Sequence, residues 1–134
     1  MTPLTLAQAD ALADGVLRHA RSIEAAPLAV VVLDAGGHPV VVKREDGAGI
    51  LRVDIATAKA YGALGMGLSS REIGERADRY PAFFTSLAAV SAGRLAPAAG
   101  GILLRDPEGV VIGAIGVSGD TSDVDETCAL AALG

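Results

Sequence analysis

The chain has no tryptophan, one cysteine and two histidines, and its only aromatic residues are Tyr61, Tyr80, Phe83 and Phe84. A lone Cys128 excludes an intrachain disulfide and fits a reducing compartment. With His19, His38 and Cys128 as the only nitrogen and sulfur ligands, and no CxxC, HxxxH or HExxH pattern, no metal site is expected. Positive charge is also scarce. Eleven Lys and Arg are scattered among sixteen acids, giving a net charge of −5. A nucleic-acid surface needs clustered cations and aromatic stacking platforms, so nucleic acid is excluded as a partner. No apolar run approaches the roughly 20 residues that span a bilayer, which excludes a membrane partner. The N-terminal stretch MTPLTLAQADALADG has no basic n-region and no unbroken apolar h-region, so it reads as helix rather than signal peptide. These absences lead to the expectation of a cytoplasmic protein.

What the chain does have is small apolar side chains. Its 134 residues are 51% hydrophobic and 20% charged, the apolar part being mostly Ala, Val and Leu. That length suits one domain, taken as residues 1–134, burying roughly two-thirds of the surface of its unfolded chain. Small residues let backbones approach closely and leave surplus apolar surface, which predicts burial between subunits as a homo-oligomer.

Thr5 and Gln8 form a capping-box pattern that opens a helix running to Glu24, with Leu12, Val16, His19 and Ile23 on one face. Residues 28–33 (LAVVVL) are apolar on both parities, which predicts a strand covered on both faces. The turn residues 34–39 (DAGGHP) join it to a second strand at 40–43. Residues 50–66 read as a helix whose small residues Ala56, Ala60, Gly62 and Ala63 bring it close to the sheet. Ser69 and Glu72 form a second capping box before a short helix to Ala77, and residues 80–84 read as a turn or single helical turn. Residues 100–104 and 110–117 read as a second hairpin around the turn DPEG. Gly113 and Gly116 within it mark a bulge or the close approach of another group. A final helix follows, with Asp123, Asp125 and Glu126 in its first turn. Antiparallel hairpins covered by helices on both sides make a three-layer α/β/α domain.

Few residues present chemistry. Cys128 reads as a buried small hydrophobe and His38 as a solvated turn residue. No GxSxG elbow occurs. The segment 113–119 (GAIGVSG) runs toward a helix N-terminus without a lysine, which suits a carboxylate or carbonyl oxygen better than a phosphate. His19, on the apolar stripe of the first helix, is either an axial iron ligand or a histidine at the edge of a helix face. Lys59, among alanines and sharing a face with Arg52, is either a buried cation awaiting an anion or a snorkelling surface residue. Asp125 is either a first-turn helix acid or a general acid/base.

Residues 31–38 (VVLDAGGH), 44–48 (REDGA), 56–60 (ATAKA), the pair Gly100 and Gly101, and GAIGVSG followed by Asp125 and Glu126 resemble the GlcG/HbpS-like family. That family includes the C-terminal domain of PduO-type proteins, and the resemblance runs in order over almost the whole chain. It implies a profilin-like fold with a five-stranded antiparallel sheet, the fifth strand falling within residues 87–93, and assembly as dimers or higher oligomers. The matched positions include Asp34, Gly36, Asp46, Gly47, Lys59, Gly100, Gly101, Gly116, Ser118, Gly119 and Asp125. The chain departs from the family pattern at Tyr61, where a smaller residue is common, and at Ala99 and Ile102, where prolines are common.

Three functions are consistent with this reading. In the first, the protein binds haem or a related tetrapyrrole as cofactor, with His19 or Tyr61 offered to the iron. In the second, it is an enzyme without a cofactor that moves a proton on a small organic acid or carbonyl compound. There Lys59 or Arg52 holds the carboxylate, Asp125 transfers the proton, and the N–H groups of Gly100 and Gly101 stabilise an oxyanion. In the third, it is a structural subunit of a larger assembly.

Overall fold

The computed structural model describes residues 3–134. Met1 and Thr2, which the helical reading of the N-terminal stretch included, lie outside the described residues. Helix α1 spans Leu6–Ser22 and opens with the expected capping box, in which Thr5 and Gln8 satisfy each other's backbone N–H groups. Strands β1 (Ala29–Asp34) and β2 (Pro39–Arg44) form the first hairpin. Helices α2 (Arg52–Met66), α3 (Ser70–Arg79) and α4 (Pro81–Val90) follow in succession. The second hairpin is β3 (Gly101–Arg105) with β4 (Val111–Ser118), and α5 (Ser122–Ala131) closes the chain.

The sheet is antiparallel with order β2-β1-β4-β3. The two hairpins meet through their inner strands, so β1 and β4 are central. This explains why 28–33 is apolar on both parities. Val30 and Val32 face a core shared with α1 and α5, while Val31 and Leu33 face α2. The layers are therefore α1 with α5, the sheet, and α2, from which α3 and α4 extend.

The glycines of β4 act by close approach. A Cβ on Gly116 would overlap the carbonyl oxygen of Ala56, and one on Gly113 the carbonyl oxygen of Leu33. Helix α2, itself floored by Ala56, Ala60 and Ala63, lies almost against the strand backbone.

Two expectations need correction. The sheet among the described residues has four strands, not five. Residues 87–90 are the second half of α4, and 91–93 are the turn that ends it. Pro81 at the first helical turn presets φ, and Thr85 and Ser86 return hydrogen bonds to the carbonyls of Pro81 and Phe83, so the segment continues as helix. Ala92 and Gly93 then take left-handed φ of 54° and 78°, which stops it. The second correction concerns the inward stripe of α1. It is Ala9, Ala13, Val16 and Ala20, all fully buried. His19 sits half-buried at the flank of that stripe, and Ile23 caps the helix, 45% exposed.

Candidate functional site

Of the matched family positions, Lys59, Gly100, Gly101, Gly116, Ser118 and Asp125 gather at one seam, where β3 begins and β4 ends, whereas Asp34 and Gly36 lie in the β1–β2 turn at the other end of the sheet. Lys59 lies on α2 and Asp125 in the first turn of α5, on opposite sides of the sheet. They meet through a 3.1 Å ion pair, with Lys59 2% and Asp125 1% exposed. Lys59 Nζ also donates to the Val117 carbonyl at 2.9 Å, and the second carboxylate oxygen of Asp125 accepts from the Asp120 N–H at 2.9 Å. The lysine passes the sheet only because Gly100 and Gly101 have no side chains. A Cβ on Gly100 would come within 2.7 Å of Nζ, and one on Gly101 would overlap the Lys59 carbonyl. Gly100 also has φ of +130°, a conformation that disfavours any side chain.

Beside the pair, Arg52 donates to the hydroxyl of buried Ser118 at 3.1 Å. Burial pushes the Lys59 ammonium below the ordinary lysine range. The charge and hydrogen bond of Asp125 oppose that shift, and the charge of Arg52 adds to it. Sequence reasoning missed Ser70, which is fully buried and accepts the Gly101 N–H at 2.7 Å. As the residue after the N-cap Ser69, it carries no signal in the sequence beyond a helix start. In a single chain, then, the Gly101 N–H and both Asp125 oxygens already have protein partners. Of the residues expected at a site, the structure brings Lys59, Asp125, Arg52, Gly100, Gly101 and Ser118 together.

His19 and Tyr61 lie elsewhere and apart. His19 is on α1, on one side of the sheet. It shares a cleft of about 430 Å³ with Ala11, Gly15, Arg18, Ala132 and Gly134, where α1 meets the end of α5. That cleft shares Ala11 and Ala132 with a larger apolar one of about 690 Å³, walled by Leu4, Leu12, Leu103, Leu104, Ile112 and Leu133. Gln8, Ala11, Gly15, Arg18, His19 and Ser22 thus present one helical stripe along an adjoining pair of clefts. At 1.5 Å per residue that stripe is roughly 20 Å long. Arg18, the cation next to the imidazole, is a further residue that sequence reasoning missed; its position on this stripe is the signal that would have found it.

Tyr61 is on α2, on the other side of the sheet. The Arg94 guanidinium lies 4.0 Å over its ring, and Gly37 packs against its edge. The recess beside it holds about 210 Å³. His19 and Tyr61 therefore cannot serve the same ligand within one chain.

Cys128 is buried, and burial pushes its thiol up, which suits an inert packing residue. His38 is exposed in its turn, beside Asp34. Among the described residues, no group of three or more His, Cys, Asp or Glu is placed to hold a metal ion. No helix among them is long and apolar enough to cross a membrane.

The architecture is a mixed α+β domain whose antiparallel sheet is covered by helices on both faces, with a buried lysine–aspartate seam and an open groove along its first helix. A family model described as "Haem degrading protein HbpS-like" matches residues 4–134, and the chain belongs to that HbpS-like family. A double mutant of Streptomyces reticuli HbpS superposes with a TM-score of 0.84 at 28% identity, over 98% of this chain and 86% of that one. Klebsiella pneumoniae protein ORFY gives a TM-score of 0.87 at 30% identity, over 99% and 90%. PduOC, solved as a haem complex, shares the fold with a TM-score of 0.88 at 24% identity, over 98% and 94%. An uncharacterised 15.0 kDa protein of the dhaT-dhaS intergenic region of Citrobacter freundii is 33% identical over 132 residues, covering 97% of this chain and 89% of that protein.

Proposed function

We propose that this protein binds haem or a related tetrapyrrole in the groove along α1, with His19 facing the metal. The observation that carries the reading is the stripe of that helix. A half-buried imidazole, a neighbouring guanidinium and a floor of Ala11, Gly15 and Ala132 adjoin a leucine-walled cleft. These features suit the group. A neutral imidazole ligates haem iron, a cation pairs with a propionate, and small residues let a flat macrocycle lie close to the helix. Among the described residues, no side chain or backbone group hydrogen-bonds the His19 ring nitrogens, so they are free to ligate. The Tyr61 recess, at about 210 Å³, falls below the roughly 300–1,000 Å³ of pockets that bury drug-sized ligands. The family description supports the same reading.

Bound haem would supply iron-centred redox chemistry. The chain's part is to ligate through His19, to hold a propionate through Arg18, and to keep water from one face. The groove is open on its outer side, and a second copy of the chain closing over it fits the homo-oligomer expected from composition. Exposed Leu133 lines its apolar part, beside the N-terminal half of α1. In this reading Lys59 and Asp125 join the layers, Arg52 and Ser118 support that seam, and the protein works in the cytoplasm, where buried Cys128 remains reduced.

Hemin titration followed at the Soret band tests the proposal. His19→Ala should move the band and weaken binding by at least about tenfold, the loss of roughly 1.4 kcal/mol or more. Tyr61→Phe should leave both unchanged. A His19→Ala variant with the wild-type band and affinity would overturn it.

A further inference from the structure

The recess between α2, α4 and the turn after α4 lies on the side of the sheet away from the His19 groove, so a ligand held there is independent of haem. Its walls are Gly62, Gly65 and Met66 of α2, Leu87 and Val90 of α4, and Leu95. The polar groups that reach it come from Tyr61, Ser91 and Arg94, and no acidic side chain lines it.

Among the described cations, Arg94 alone stacks on an aromatic ring; like Arg44 and Arg105, which donate to the carbonyls of Ala48 and Gly109, it has no ion pair with an acid. Arg21 and Arg71 are neutralised by acids, Arg21 by Glu45 and Arg71 by Asp123 and Glu126. Arg94 instead stacks on the Tyr61 ring and donates its Nε–H to the Ser91 carbonyl at 2.8 Å. Those two contacts fix the plane of the guanidinium and leave both terminal amino groups without a carboxylate among the described residues. The chain turns sharply to put it there. Ala92 is one of two non-glycine residues with positive φ among the described residues, and Gly93 follows in the same region. Gly62 is needed as well, since a Cβ there would press within 3.2 Å of the Leu95 backbone. Gly65, in contrast, has nothing within 4 Å of a built Cβ, because the recess opens over it.

We propose that this recess is a binding site for a small monocarboxylate with an apolar body. A planar, preoriented guanidinium matches a carboxylate bidentately. The glycine and leucine walls accept an apolar body. The space of about 210 Å³, equal to about seven liquid waters, limits its size. A single cation with no acid beside it selects one negative charge and disfavours an amino group.

Benzoate and butyrate are suitable probes, with benzamide as the neutral counterpart of benzoate, read by amide chemical shifts of the full chain. Both acids should saturably shift Gly62, Gly65 and Leu87, and benzamide should bind at least about tenfold more weakly. Arg94→Gln keeps length without charge and should weaken benzoate by a similar factor. Gly65→Leu fills the recess from an exposed helix position, so it should abolish binding with the melting temperature kept or raised. Equal binding of benzamide and benzoate, an unchanged affinity in either variant, or no saturable shift with either acid would each overturn the proposal.

Discussion

The seam and the groove are built from the same kinds of residue, small apolar side chains around a pair of basic groups, yet they do opposite things. At the seam, glycines bring backbones so close that Lys59 and Asp125 are sealed from water, and each polar atom there has a partner within the chain. In the groove, Ala11, Gly15 and Ala132 leave His19 at a half-open surface. A buried ion pair with complete hydrogen bonding serves to join layers, because separating it would strand charge in an apolar interior. An imidazole with free nitrogens at the end of an apolar cleft stays open to a ligand. The sealed ion pair and the open imidazole thus lie in different parts of the molecule.

The comparison breaks most visibly at Asp125. Asp125→Ala strands the Lys59 charge and the Asp120 N–H, and should cost about 3–5 kcal/mol in urea unfolding. The double variant Lys59→Met with Asp125→Leu should recover most of that loss. If Asp125→Ala were as stable as the parent, the seam would not be a structural joint.

A pair of glycine replacements sharpens the contrast. Gly116→Ala forces a methyl into the Ala56 carbonyl and should cost at least about 3 kcal/mol, the upper end of ordinary overpacking. Gly15→Ala in the groove meets Ala132 at an ordinary 3.5–3.6 Å and should stabilise α1 by about 0.5–1 kcal/mol. Thermal melts of the two variants should therefore move in opposite directions.

The smallest effect is expected at the loop feeding the seam. The Asp120 carboxylate accepts the N–H groups of Ala26 and Thr121, and the Ala26 bond, the larger influence, holds its pKa below the ordinary carboxylate value. A lowered folded-state pKa contributes stability above the unfolded value near 4, and that stability is lost as pH falls through the folded value. Asp120→Asn keeps an acceptor oxygen but cannot titrate. Its stability should fall less than the parent's between about pH 4 and pH 2, read by denaturant midpoints across that range.

Much of the fold was legible in the chain because its signals are local. Both capping boxes form as Thr5–Gln8 and Ser69–Glu72 announced, and the two hairpins fall where their turn residues put them. The double-sided apolar run at 28–33 became a central strand because only burial on both faces makes such a run favourable. Residues 87–93 could not be read the same way. Their alanines and serine suit helix or strand, and what decided for helix was the start of α4 at Pro81, six residues earlier.

The sequence by itself determined the two hairpins, the helices before, between and after them except α4, the two-sided core strand, the close approach of α2 through its alanines, and the membership of Lys59, Gly100, Gly101, Ser118 and Asp125 in one motif set. It left open whether Lys59 was buried or snorkelling and whether Asp125 was a helix acid or a proton carrier. Only the tertiary structure decided that the two meet, that His19 flanks the core stripe at the edge of a groove, and that Arg94 lies over Tyr61. The physical reason is distance along the chain. Caps and turns are set by neighbours a few residues apart, whereas a lysine's burial depends on an anion 66 positions away, brought to it only when the two hairpins join and the double glycine leaves it room.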